Sequence, residues 1–253
     1  MRRALALAFA LVTAAALPAR AEMSVAARFT EPTDRYGHGA LGPDHEFANL
    51  QIDVTRKAGS PKGLFSGHST LTYDLRLDPD MVYEDTSPRL SDLDGDGIAE
   101  VIVVQSHLKF GSRLLVLTVK SGKPEFLAAT DFVGEPNHWL APIGVADFDG
   151  NGHRDIALID APHRLGVLRL FEYRNGALHP TFAGGKFTNH RFGSDTILGG
   201  VRDCGSGPEM IVASFDWSEL LALSVTSANA VNWTRLGRDT SPAGFAKALN
   251  CNS

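Results

Sequence analysis

Asp92, Asp94, Asp96 and Glu100 occupy the first, third, fifth and ninth positions of Asp92-Leu93-Asp94-Gly95-Asp96-Gly97-Ile98-Ala99-Glu100, and the apolar run Val101-Ile102-Val103-Val104 follows at once. A second copy places Asp147, Asp149, Asn151 and Asp155 at the same four positions, ahead of Ile156-Ala157-Leu158. Hard divalent cations take oxygen ligands, and calcium gathers six to eight of them at about 2.4 Å. Alternate residues of a tight loop turn their side chains inward, so the spacing lets the carboxylates converge. Gly97 permits a sharp reversal, the Ile98 carbonyl then faces the ion, and Glu100 closes the site from the next strand. In the second copy the His153 carbonyl and Asp155 play those parts. The expected cofactor is Ca²⁺ at one or two sites, in a structural role. The ion-free alternative is a cluster of Asx turns, since Asp, Asn and Gly favour turns in any case. An EF-hand is excluded, because its twelfth position needs Glu and here holds Val103 or Leu158.

A second group of residues is weaker in pattern. Asn137-His138-Trp139 and Asn189-His190-Arg191 share an Asn-His pair, and His38 follows Arg35-Tyr36-Gly37. If these segments are equivalent, His38, His138, Trp139, His190 and Arg191 line one ligand-binding rim. The competing reading makes them turn-stabilising residues. No catalytic residue is expected. Gly-x-Ser-x-Gly, His-Glu-x-x-His and the phosphate-binding Gly-x-x-x-x-Gly-Lys motif are absent. Ser106-His107-Leu108-Lys109 fits Ser-x-x-Lys but trails a strand instead of opening a helix. A hydrolase or lyase acting through the histidines is the alternative to a non-enzymatic binding protein.

The elements that must hold these residues repeat. Glu46, Glu100, Asp155 and Glu209 each precede an apolar run, at intervals of 54, 55 and 54 residues. Each run is flanked by a short segment before it and two alternating runs after it, with turns between, so each repeat holds about four short strands. Four strands per repeat of about 54 residues is the signature of a propeller blade. The expected fold is all-β, a small β-propeller of four to five four-stranded blades, with a β-sandwich or β-solenoid as alternatives. Asp239-Thr240-Ser241-Pro242 echoes Asp85-Thr86-Ser87-Pro88, so residues 239–250 are expected to begin another unit or supply a strand that closes the ring.

The first residues have another purpose. Met1-Arg2-Arg3, an apolar run from Ala4 to Leu17 and Pro18-Ala19-Arg20-Ala21 have the form of a secretory signal peptide cleaved after Ala21. That leaves residues 22–253 as a single domain in the periplasm or outside the cell, with no transmembrane segment. Residues 1–21 hold three arginines and no acid, so their loss moves the net charge from −5 to −8. Such an acidic exported chain is a poor binder of nucleic acid. Its two cysteines, Cys204 and Cys251, are expected to form one disulfide in an oxidising compartment.

The pattern Asp-x-Asp-x-Asp/Asn-Gly-x-x-Asp/Glu-apolar-x-apolar resembles the FG-GAP or VCBS repeat of integrin-α propellers and many exported bacterial proteins. The resemblance implies a propeller and calcium in the loops at Asp92–Glu100 and Asp147–Asp155. Leu41-Gly42-Pro43-Asp44-His45-Glu46 and Arg202-Asp203-Cys204-Gly205-Ser206-Gly207-Pro208-Glu209 keep the closing acid without the carboxylate ladder, so metal is not expected there. The function expected is an exported calcium-binding scaffold, monomeric, with a protein or glycan partner.

Overall fold

A computed structural model describes residues 23–42, 46–59, 66–226 and 230–251. The expected signal peptide lies outside the described residues. Among the described residues the chain is all-β apart from one short helix. β1 (Met23–Pro32), β2 (Glu46–Gly59) and β3 (Ser66–Arg76) form an antiparallel meander with β2 in the middle. β4 (Met81–Glu84) and β5 (Arg89–Ser91) both pair with β6 (Glu100–His107), which continues into β7 (Gly111–Thr118) and β8 (Glu125–Ala129). β9 (Leu140–Ala146), β10 (Arg154–Asp160), β11 (Val167–Arg174) and β12 (Ala177–Gly184) form a four-stranded sheet. β13 (Phe187–Thr188) and β14 (Gly200–Asp203) pair with β15 (Pro208–Ser214), followed by β16 (Leu220–Val225) and β17 (Val231–Gly237). The helix α1 (Pro242–Leu249) ends the order.

The apolar runs after the acids become strands buried on both faces, and their period of two divides them between neighbouring cores. Ile102 and Val104 of β6 pack with Ile156 and Leu158 of β10. Val101 and Val103 turn the other way, toward Leu50, Ile52 and Val54 of β2. Ala157 and Ile159 of β10 meet Met210 and Val212 of β15. Ile211 and Ala213 then pack under Phe245 and Ala248 of α1. The sheets thus stack face to face, with the β1–β3 meander covering one end and α1 the other. Each inner strand is interrupted at the same place. β9 carries a one-residue bulge opposite Ala157/Leu158, whereas the other two break into β4/β5 and β13/β14, with residues 85–88 and 189–199 inserted.

The first interval of 54 residues is not a structural repeat. β6, β10 and β15 begin on one rim and end on the other. β2 begins beside the end of β6, where Glu46 pairs with Glu84 and Glu84 accepts from Ser106 at 2.5 Å. Ten residues on, Arg56 donates to the Ser121 carbonyl at 2.8 Å, in the turn after β7 beside the start of β6. Through β4, which pairs antiparallel with both, β2 belongs to the same sheet as β6 and does not head a separate four-stranded unit. The short segment expected before Glu46 as a strand, Tyr36–Leu41, is not one either; β1 pairs with β2 in that place. Residues 36–42 form a strap over the rim where β6, β10 and β15 end. The Asn137 N–H donates to the Tyr36 hydroxyl at 2.9 Å, and the Gly193 N–H to the Ala40 carbonyl at 2.7 Å.

The C-terminal segment also departs from expectation, since residues 242–249 are helical. Ser241 caps the helix through Gly244 N–H, with Pro at its first positions and Lys247 in its last turn, and no β-branched residue occurs in Pro-Ala-Gly-Phe-Ala-Lys-Ala-Leu. The disulfide Cys204–Cys251 is present and ties the end of α1 to the β14–β15 turn. Closing a loop of 47 residues restricts the unfolded chain by about 4 kcal/mol before any strain. The Cys204→Ser/Cys251→Ser double variant is therefore expected to lose about 2–4 kcal/mol in urea unfolding. An unchanged midpoint would show that packing alone holds α1.

Candidate functional site

The two acidic loops stand at the heads of β6 and β10 and share one set of internal bonds. Asp92 accepts the Gly95 and Gly97 N–H groups, both at 2.8 Å. Asp147 accepts those of Asn151 at 3.0 Å and Gly152 at 2.9 Å. Asp94 accepts from Asp96 N–H at 3.2 Å and Asp149 from Asn151 N–H at 3.1 Å. The fifth residues follow suit, with Asp96 accepting the Ile98 N–H and Asn151 the His153 N–H, each at 2.8 Å. The closing acids reach back seven residues, Glu100 to Leu93 N–H at 2.9 Å and Asp155 to Phe148 N–H at 3.2 Å. Gly97 and Gly152 have φ of +83° and +89°, a conformation that only glycine adopts without strain. Backbone donors thus hold each carboxylate in place.

One oxygen from each of Asp92, Asp94 and Glu100 lies within 4.8 Å of the others, and the same holds for Asp147, Asp149 and Asp155. All these donors are hard oxygens, which fits calcium or magnesium and not a thiolate-preferring metal. Burial pushes the Glu100 carboxyl up, the Leu93 N–H offsets part of this, and the charges of Asp94 and Asp96 add to the rise. Asp155 is pushed up to about 6, first by burial, with Asp149, Glu172 and Asp147 raising it further. Such mutual repulsion is what a divalent cation would relieve. Both loops face one open cleft of about 440 Å³.

Two residues beside the loops escaped the sequence pattern. Lys120 contacts both acids of the first loop, Asp94 closely and Asp96 at 3.2 Å. Glu172 is buried beside the second loop and accepts from Asn151 Nδ2 at 2.5 Å. Only strand register reveals them. Val101 pairs with Leu117 and Ile156 with Phe171, so Thr118 and Glu172 hold matching places opposite the closing acids.

The β14–β15 turn has a reduced version of the same loop. Asp203 accepts the Gly205 N–H at 2.8 Å and the Gly207 N–H at 3.2 Å. Its closing acid Glu209 is neutralised by Arg202 at 2.8 Å. The ladder is missing, as the sequence suggested.

The expected histidine rim lies at the opposite ends of β6, β10 and β15, but only part of it converges. His38, Trp139, His163, Arg164 and Phe192 line a cavity of about 180 Å³. His190 sits behind it, its ring 4.9 Å from Trp139 and 5.0 Å from His163. His138 turns away and binds Asp160 closely, with Arg164 3.0 Å from its Nδ1. Arg191 stacks on Trp217, 3.9 Å from the ring centre. His163 and Phe192 were not among the expected residues, because neither shares a repeated motif.

Hydrogen bonds fix the ring nitrogens. His190 Nε2 faces the Ser194 carbonyl at 2.8 Å and must donate, so its Nδ1 accepts from His163 Nε2 at 2.8 Å. His163 therefore keeps an unprotonated Nδ1. His38 Nδ1 lies 2.5 Å from the fully buried Glu84. Burial drives the Glu84 carboxyl up, while His38 and Ser106 pull it back. Burial depresses His163 to about 4, and His190 and His38 depress it further. The sign is that of a neutral base: its contribution is complete above the unfolded value of about 6.5 and is lost as pH falls toward 4. Since His163 is half-buried, solvent screening reduces this to about 1–2 kcal/mol. His163→Asn is expected to flatten the stability profile between pH 6.5 and 4, read by urea unfolding at half-unit steps. A slope equal to the parent's would reject the assignment.

Residues 92–158 match the sequence model of the FG-GAP-like repeat. A comparison with curated proteins gives no match. Among solved structures, the crystal structure of Porphyromonas gingivalis dipeptidyl peptidase 4 is similar over 85% of this chain and 33% of that one, at 14% identity and a TM-score of 0.37. The chain thus spans about a third of that protein's length, and a similarity of this degree carries no argument. The matched segment runs from the first acid of one loop to the strand after the other, and in it this chain carries an FG-GAP-like repeat.

Proposed function

We propose that this chain is an exported, calcium-stabilised scaffold of the β-propeller kind, non-enzymatic, which binds a protein or glycan partner at the rim opposite its calcium loops. The observation that carries this reading is the pair of acidic loops with matching internal bonds at the heads of β6 and β10. Residues 22–253 form one monomeric domain after cleavage at Ala21, and calcium is held by Asp92, Asp94, Asp96, Glu100 and the Ile98 carbonyl, and by Asp147, Asp149, Asn151, Asp155 and the His153 carbonyl. When bound, the ion supplies positive charge that fixes the turn between two strands. The disulfide supports an oxidising compartment. The rim of His38, Trp139, His163 and the 63% exposed Phe192 offers an apolar contact with fixed polar atoms, as binding sites do. A pull-down from periplasmic or secreted extract with and without calcium tests the reading, with a glycan array as second arm. Capture that needs calcium and is lost in Phe192→Ala supports it; no partner on either arm counts against it.

A further inference from the structure

The two acidic loops share a backbone but differ in the charge that surrounds them. In the first, the Lys120 ammonium is already seated against Asp94 and Asp96. In the β14–β15 turn, Arg202 does the same for Glu209. In the second loop, no cationic side chain among the described residues pairs with Asp147, Asp149 or Asp155. Arg174, which lines the same cleft, lies 3.4 Å from Glu172 instead. Glu172 itself, with a side chain only 4% exposed, supplies the fourth carboxylate that the second loop lacks where Asn151 replaces Asp96; at the place of Glu172 the first loop has the neutral Thr118, 3.3 Å from Glu100.

From this we infer that the loops are unequal cation sites: the second, completed by Glu172, is the tight one, and Lys120 is an internal competitor that weakens the first. The inference rests on the calcium reading above. A divalent ion entering the first loop must break the Lys120 pairs and then sit beside a displaced positive charge. Charges a few ångströms apart at a protein surface interact through a high effective dielectric, so the competition is graded. The Lys120 side chain is 42% exposed and has solvent to swing into. An ion entering the second loop meets four carboxylates, as many as the first loop holds, but no ammonium that it must displace, so the net charge facing it is the more negative, and calcium affinity follows ligand charge.

The test is isothermal titration of the full chain with calcium chloride after chelator treatment, with circular dichroism confirming that each variant is folded. The parent should show two classes of site. Glu172→Gln should weaken the tight class about tenfold and spare the weak one. Lys120→Met should tighten the weak class about tenfold and spare the tight one, and Lys120→Gln provides the same loss of charge if the first variant does not fold. Asp149→Asn and Asp94→Asn assign the tight and weak classes to the second and first loops. Two sites of equal affinity, or classes unmoved by the Lys120 and Glu172 variants, overturn the inference. A parent that binds no calcium at all defeats the calcium reading itself, a result distinguishable from either.

Discussion

Chelation of calcium is expected to lower the melting temperature of this protein by about 6–12 °C, from a loss of about 3 kcal/mol. The ion binds the folded loops and not the unfolded chain, so each site contributes according to the ratio of free calcium to its dissociation constant. Extracellular calcium sites have constants of about 10⁻⁴–10⁻³ M. At about 5 mM calcium, a site at the tight end contributes about 2 kcal/mol and one at the weak end about 1. Without the ion, the loops hold crowded acids in partly buried positions. Asp155, raised to about 6 against about 3.9 in the unfolded chain, favours the folded state fully only below the unfolded value. That contribution is lost as pH rises from about 4 through 6. The chelator effect should therefore be larger at pH 7.5 than at pH 5, and calcium should reverse it. Scanning calorimetry at both pH values, with metal content measured beside it, checks the sign. Equal melting temperatures in metal-free and calcium-saturated protein would remove the structural role of the ion.

The loops were legible in the sequence because their information is local. Carboxylates at alternate positions, a glycine where φ must be positive and an apolar strand directly after are all set within about a dozen residues. The strands beginning at Glu100, Arg154 and Pro208 follow from the same junctions. What was not legible depends on contacts distant in the chain. Lys120 and Glu172 join the loops only through the pairing of β6 with β7 and β10 with β11. Spacing alone made Glu46 look like a fourth junction, yet β2 joins the sheet of β6 through β4 instead of heading a four-stranded unit of its own, and that pairing is not set by interval. The helix at 242–249 was hidden by an echo of Asp-Thr-Ser-Pro. The same four residues lead to β5 in one place and, before an alanine-rich stretch, cap a helix in the other. On the rim, the shared Asn-His pair misled. His138 lies two residues before β9, whereas His190 lies in the insertion between β13 and β14, so the two rings take different partners.

Trp139→Ala should be among the most damaging single substitutions, at about 3–5 kcal/mol. Trp139 is 1% exposed and stands where three units and the strap meet. Its indole N–H donates to the Glu84 carbonyl at 2.8 Å, and its ring lies against His190 and within 6.0 Å of the His163 ring centre. Truncation leaves a cavity beneath the histidines and a buried carbonyl without its donor, and the second alone costs about 1–3 kcal/mol. Trp139→Phe keeps most of the apolar ring and loses the donor, so it should cost about 1–2 kcal/mol; the difference between the two variants measures the packing. Water admitted by Trp139→Ala should also reach His163, whose depression to about 4 begins with burial. Its titration, followed by NMR, should then move up toward the ordinary histidine value. A variant that unfolds at the parent's urea midpoint, with His163 still titrating near 4, would show that the rim is held by the strap and not by this tryptophan.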